Sequence, residues 1–397
     1  MQPGVRKAFI IGLPATLVAV IVSLALVEVW VRAAWDERRG VPGFYLSDPV
    51  LGQRLAPGYT GWFAGVPVRT NSLGFRDDRE YALEKPPGTF RIVVLGDSVT
   101  FGHGALYETT YPYLLEQRLK SWRPNVNWQV WNLGVPGYNT SNELEYLKRV
   151  GGQYQPDLVI VGFYPNDFTA NETSSRPSSA RRVASAVQQV VQRHFYSYEF
   201  YKKAYLTARW TLLADKFDRG RIEQLGGEEV LLQRVERVAD LPEQRIGPVD
   251  YFDDEQVRHP VCPGALPPGP GADRLRDRVG SQEPEIVAWH GAVSAFQQLH
   301  RDGEYRIVFF VNMSPHECES LNRFFDGGSL DDDALLLEVL GEDTPAVSTT
   351  RAFLHYRPSQ MPAASGHSLG NSNRVKADVL FDFLSSTVLP PLPAAAP

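Results

Sequence analysis

Four short blocks carry residues whose types suit one reaction. GDSVTFG places Ser98 directly behind a hydrophobic run. NLGVPGYNT brings a glycine loop with Gly137, YPND brings Asn166, and SGHS brings His367. A serine hydroxyl is a weak nucleophile until a base takes its proton. Histidine is the side chain that exchanges a proton near neutrality. Backbone N–H groups of Ser98 and Gly137 and the side-chain amide of Asn166 are the donor types that hold a tetrahedral oxyanion. Glycine adds close backbone approach, with no side chain in the way. The chemistry these residues can do together is acyl transfer: Ser98 attacks, His367 takes and returns the proton, and Ser98, Gly137 and Asn166 bind the oxyanion. Asp97 is expected to brace the turn. His103, five residues past Ser98, lies close enough to line the same pocket, and so does His316 in SPHECE. Three neighbours in one loop, His316, Glu317 and Cys318, rarely give metal geometry, so no metal and no cofactor is expected.

The elements that must position these residues alternate. RIVVLG is a strand, 110–122 reads as a helix with Tyr111, Leu115 and Leu119 on one face, and VNWQVWNLG (126–134) is a strand. TSNELEYLKRVGGQY is a helix capped by Thr140 or Ser141, and DLVIVGFY (157–164) is a strand apolar enough to be buried on both faces. Such a βαβαβ run predicts a parallel sheet with right-handed crossovers. The rhythm breaks over 170–285, which reads as a helical insertion with a Pro/Gly-rich loop, and returns with a helix over 285–303 and a strand over 305–313. A last strand is expected over 345–354, then a terminal helix capped by Asn371 or Ser372. Ser98, Gly137 and Asn166 each follow a strand, where active groups gather in a doubly wound sheet. His367 comes just before the last helix.

In this order the blocks resemble the SGNH subgroup of the GDSL esterase/lipase family, of the membrane-anchored bacterial type. Val99 stands where the family name has leucine, and Pro165 where a glycine is usual. The resemblance implies a three-layer α/β/α flavodoxin-like parallel sheet and metal-free serine hydrolysis. It also implies an aspartate three residues before the histidine, but this chain has Ala364 there and no acid between Asp343 and Asp378. Three readings stay open. Ser98 and His367 work as a dyad; or Asp331, Asp332 or Asp333 reaches in; or the chain is a catalytically weak binding or scaffold protein on the same fold.

The 397 residues are 43% apolar and 22% charged, the composition of a globular protein. A net charge of −6 gives no basic surface for nucleic acid. The run 8–27 is apolar and small throughout, about 30 Å as a helix, enough for a bilayer core. A transmembrane anchor contacting the membrane over 8–31 is therefore expected, with Trp30 and Trp35 in the interfacial belt. Arg6 and Lys7 before the run and Arg32, Arg38 and Arg39 after it leave the orientation open. Cys262 and Cys318 are either a disulfide or two separate thiols.

The expected organisation is an anchor and stalk (1–40), a small β-rich extension (41–90), two halves of a hydrolase domain (91–169 and 286–388) around the insertion (170–285), and a disordered tail (389–397). The resemblance implies an extracytoplasmic catalytic domain on a bacterial inner membrane. There the substrate would be an acylated glycan or a lipid ester, with an envelope-polysaccharide biosynthesis protein as possible partner. O-acetyl transfer to such a polysaccharide is the alternative reaction.

Overall fold

The structure is a computed structural model that describes residues 3–36, 42–168, 177–213, 237–251, 272–313, 330–356, 360–364 and 367–389. His316, both cysteines, most of the Pro/Gly-rich loop and the 390–397 tail lie outside the described residues.

Two antiparallel hairpins precede the main sheet, β1 (Tyr45–Asp48) with β2 (Gly52–Leu55) and β3 (Thr60–Phe63) with β4 (Val66–Arg69). Five parallel strands then form the central sheet: β5 (Thr89–Gly96), β6 (Asn127–Gly134), β7 (Leu158–Phe163), β8 (Ile307–Val311) and β9 (Ala346–Ser348). Their order is β6-β5-β7-β8-β9, the flavodoxin-like arrangement, which switches direction at β5. Val93, Val159 and Ile307 share one register row across β5, β7 and β8, and all are fully buried. Both faces of these strands are covered, which is why they read as unbroken apolar runs.

The helices α1 (Pro3–Ala34), α2 (Ser98–Phe101), α3 (Tyr111–Trp122), α4 (Thr140–Tyr154), α5 (Ser179–His194), α6 (Tyr196–Leu213), α7 (Ala272–Val279), α8 (Pro284–Arg301), α9 (Leu330–Leu340), α10 (Thr350–Phe353) and α11 (Gly370–Phe383) complete the chain. On one face of the sheet α4 and α8 bury Leu144, Leu147, Trp289, Val293 and Phe296. On the other, α3 and α11 bury Tyr111, Leu115, Leu119, Ala377 and Leu380. The result is the three-layer α/β/α fold.

Local differences from the sequence expectation have simple causes. The cap of α4 is Asn139, one residue earlier than expected: its side chain accepts from Asn142 N at 3.1 Å while the Asn142 side chain returns a bond to Asn139 N, a capping box. The last strand stops at Ser348, because Thr350–Phe353 turns helical. The terminal helix starts at Gly370 with Leu369 at its cap position, where no side chain can cap; Ser372 Oγ instead donates to Pro362 O at 2.7 Å.

Before the sheet, α1 is one continuous helix, and its segment Pro14–Ala34, with mean hydropathy 2.2 and 6% of it buried, is long and apolar enough to cross a membrane. Trp30 and Trp35 pack edge-on against Phe200 and Tyr196 of α6.

Candidate active site

The site gathers where β5 and β7 end, beside the switch point. Asp97 is buried and caps α2, accepting from Val99 N at 2.8 Å. That bond fixes the turn and sets Ser98 as the first residue of α2. The same carboxylate accepts from Asn166 Nδ2 at 2.8 Å and lies 3.4 Å from Ser98 Oγ. Asp97 therefore ties the end of β5 to the end of β7, the bracing role expected of it.

The glycine loop is held in two ways. A Cβ at Gly134 would stand 2.3 Å from Phe101 N, so β6 can end against α2 only through glycine. Gly137 has φ +86°, in the left-handed region that glycine adopts without strain. From above, β2 clamps the loop: Gln53 Nε2 donates to Pro136 O at 2.9 Å and Tyr138 OH donates to Gln53 O at 2.7 Å. The N-terminal hairpins thus share a core with Phe101, Val135 and Tyr138.

His367 reaches the same place from the far end of the chain. It sits in β11 (His367–Ser368), which pairs antiparallel with β10 (Ala363–Ala364), and Ala364 is its register partner. Leu369 N donates to Pro362 O at 3.0 Å and Asn373 Nδ2 to Ser368 O at 2.9 Å, pinning this hairpin to the start of α11. His367 Nε2 lies 2.8 Å from Ser98 Oγ, hydrogen-bonding distance between 269 residues of separation. This is the geometry a nucleophile and its base require.

His103 stacks on His367, with ring centroids 4.4 Å apart and planes 23° apart. Burial, then the neighbouring His367 and the Arg76 charge, push its pKa down to about 3, so it stays neutral wherever His367 can work. Its Nδ1 is buried with no hydrogen-bond partner among the described residues. Phe63 meets the ring edge-on at 5.0 Å.

Sequence reading missed the buried groups under these side chains. Arg76 donates to the carbonyls of Phe101, Gly102 and Ala105 at 2.6–2.9 Å, tightening the loop that carries His103, and burial lowers its pKa to about 10. Gln244, from the insertion, donates to Gly104 O at 2.7 Å and accepts from Leu106 N at 3.0 Å. Glu143 and Asp167 are wholly buried; burial first, then neighbouring carboxylates, hold both well above the ordinary carboxyl range. Asp167 accepts from Thr140 Oγ1 at 3.2 Å and from Tyr164 N at 3.3 Å. Lys376 of α11 is also buried; burial lowers its pKa to about 7 and the Asp97 carboxylate opposes that shift. Asp167 stands in the YPND block beside Asn166, whereas Arg76, Gln244, Glu143 and Lys376 lie on no block and break no period, so only burial reveals them. Asp333, considered for His367, is instead buried at β9, where it accepts from Ser348 Oγ. The side chains of Asp331 and Asp332 and the whole of His316 lie outside the described residues.

The fold and site define an α/β/α protein with a serine–histidine pair at its sheet switch. Residues 94–245 match the model of the GDSL-like Lipase/Acylhydrolase family. The matched segment holds Ser98, Gly137 and Asn166; His367 lies beyond it and joins them through the fold. No curated protein matches the sequence. Among solved structures, the chain resembles the α/β-hydrolase enzyme LAE5 from the metagenome of Lake Arreo, Spain, at 12% identity and TM-score 0.33, covering 75% of this chain and 95% of that one. It also resembles the acetylxylan esterase Axe2 from Geobacillus stearothermophilus, at 11% identity and TM-score 0.35, covering 74% and 94%. A lipase from a goat-rumen metagenome is similar at 12% identity and TM-score 0.36, covering 74% and 97%. At such scores the likeness carries no weight for reaction or substrate.

Proposed function

We propose that the chain is a membrane-anchored serine esterase that removes O-acyl groups, O-acetyl above all, from envelope glycans or lipids. The observation that carries this reading is the 2.8 Å contact between His367 Nε2 and Ser98 Oγ. Ser98 Oγ attacks the ester carbonyl as His367 takes its proton. The Ser98 and Gly137 N–H groups and the Asn166 amide receive the oxyanion, and His367 returns the proton to the leaving alcohol. Water repeats the cycle on the acyl-enzyme; an acceptor hydroxyl of a polysaccharide in its place would make the protein an O-acetyltransferase working with a polysaccharide-biosynthesis partner. The helix Pro14–Ala34 supports a single-pass anchor; a bacterial inner membrane with the catalytic domain on its extracytoplasmic side is what the family resemblance implies. Ala364, where the family resemblance calls for an acid, favours a second reading, a weak enzyme that mainly binds its glycan.

The test is hydrolysis of 4-nitrophenyl acetate by the full chain in detergent. Activity is expected, and Ser98→Ala should remove it. Equal rates in wild type and variant would refute the esterase reading.

A further inference from the structure

Helix α5 is folded with its polarity reversed. Its buried face is polar: Ser185 Oγ bonds Ser47 Oγ at 2.9 Å, Gln189 Nε2 donates to Ser47 O at 2.7 Å, and Gln192 Oε1 accepts from Ser47 N at 2.7 Å. Its outer face is apolar. Val183, Val187 and Val190 recur at one helical stripe and are 64%, 61% and 56% exposed, and Ala180, Ala184 and Ala186 beside them are exposed too. A surface helix ordinarily shows the opposite arrangement, with its apolar stripe toward the core. Arg182 and Arg193, both exposed, fall about 80–100° from Val183 on the same flank of the stripe, at 100° per residue.

The end of this helix is fastened to α1. Arg32 Nη2 donates to His194 O at 2.6 Å. Two residues on, Glu28 caps the start of α6, accepting from Tyr196 N at 3.2 Å and Ser197 N at 2.9 Å, and Arg32 pairs with it. Glu28 and Arg32 are the charged residues of an otherwise apolar span, and charged groups at the end of a span mark the membrane–water boundary. The C-terminal end of α5 is therefore bonded to α1 at the boundary. Phe195 and Tyr205, 44% and 62% exposed, extend the apolar surface past the joint.

We propose that α5 is a membrane-surface helix whose valine face lies in the headgroup region of an anionic bilayer beside α1. An apolar stripe flanked by cations is the pattern that seats a helix in that plane, and the latch to α1 delivers the stripe to the bilayer without a second protein. The proposal rests on the reading of α1 as a membrane span. It has a structural consequence. Ser47 in β1 holds α5, and Gln53 in β2, the paired strand, holds the Gly137 loop at Pro136, so two short strands connect the lipid contact to the oxyanion loop.

The test places a nitrobenzoxadiazole reporter on cysteines introduced as V183C, V187C or V190C. The background is the full chain carrying C262S and C318S, in vesicles of phosphatidylethanolamine and phosphatidylglycerol. Emission should shift to the blue, and shallow doxyl-lipid quenching should exceed that of a K148C control at least threefold at all three positions. Quenching at 190 alone, or at none, overturns the proposal. So does a reporter that is wet in these vesicles but shielded in native membranes, which would assign the face to a protein partner. An L24C reporter separates the two readings: deep-label quenching at 24 with none at 187 refutes the surface helix alone, whereas no quenching at 24 refutes the span. If the cysteine-free background fails to fold, benzoylphenylalanine at 187 in the otherwise unaltered chain gives the same answer, by lipid adducts against none.

Discussion

Replacing Ala364 with aspartate should raise the rate constant, and the structure sets by how much. Ala364 is the register partner of His367 across the β10–β11 hairpin. Register partners in an antiparallel pair share a face, with Cβ atoms about 4.5–5.5 Å apart. An aspartate carboxylate and an imidazole Nδ1 each reach roughly 2.5 Å from their Cβ atoms, so the two come within hydrogen-bonding distance from that register. A hydrogen bond to a charged group is worth about 1.5–3 kcal/mol. Realised on the imidazolium formed as Ser98 loses its proton, and not on the resting neutral ring, it lowers the barrier by that amount. At about 1.36 kcal/mol per tenfold, A364D should raise kcat by about 10- to 150-fold. The carboxylate also favours the protonated ring, so the acid limb of the kcat profile should move to higher pH. Steady-state hydrolysis of 4-nitrophenyl acetate from pH 5 to 9 reads both effects. A variant that melts like the wild type yet shows neither a higher kcat nor a displaced acid limb would refute the register argument that a carboxylate at 364 reaches the imidazole.

His103→Ala removes a ring stack worth about 0.5–1.5 kcal/mol and should lower kcat by about 2- to 12-fold, whereas His103→Phe, which keeps an aromatic face against His367, should stay within about twofold of wild type. Because burial holds His103 neutral down to about pH 3, His103→Phe should also leave the acid limb of the profile in place; a displaced limb would show that His103 titrates in it. Glu143→Gln should stabilise the protein at neutral pH. The folded state holds the Glu143 proton above the pH at which the unfolded chain releases it, so the native carboxyl costs stability increasingly as pH rises from its ordinary value of 4.5 toward the raised one. The gain in melting temperature should therefore be larger at pH 8 than at pH 5; an equal gain at both would show that Glu143 titrates normally.

The fold was legible because its strands are long apolar runs and its helices keep one apolar face. Val93, Val159 and Phe309 mark strands that cannot face water, and Tyr111, Leu115 and Leu119 mark a helix that covers them. Ser98, Gly137, Asn166 and His367 were legible for a different reason: each falls at a strand end or just ahead of a helix, where the sheet must bring them together. The approach of His103 to His367 was foreseen only as a shared pocket. The stack depends on Arg76 and Gln244 drawing the 101–106 loop inward through backbone carbonyls, contacts that leave no spacing in the sequence. Glu143 and Lys376 are hidden for a similar reason. Each sits on a helix whose apolar neighbours already account for burial, and a single charged residue there looks like a solvent-facing one.

The most direct measurement is covalent labelling of the full chain by a fluorophosphonate, with the modified peptide identified by mass spectrometry. One adduct is expected, on Ser98, absent in Ser98→Ala and formed at least a hundredfold more slowly in His367→Ala. A folded protein that leaves Ser98 unlabelled, or that labels equally fast without the imidazole, would contradict the serine–histidine mechanism.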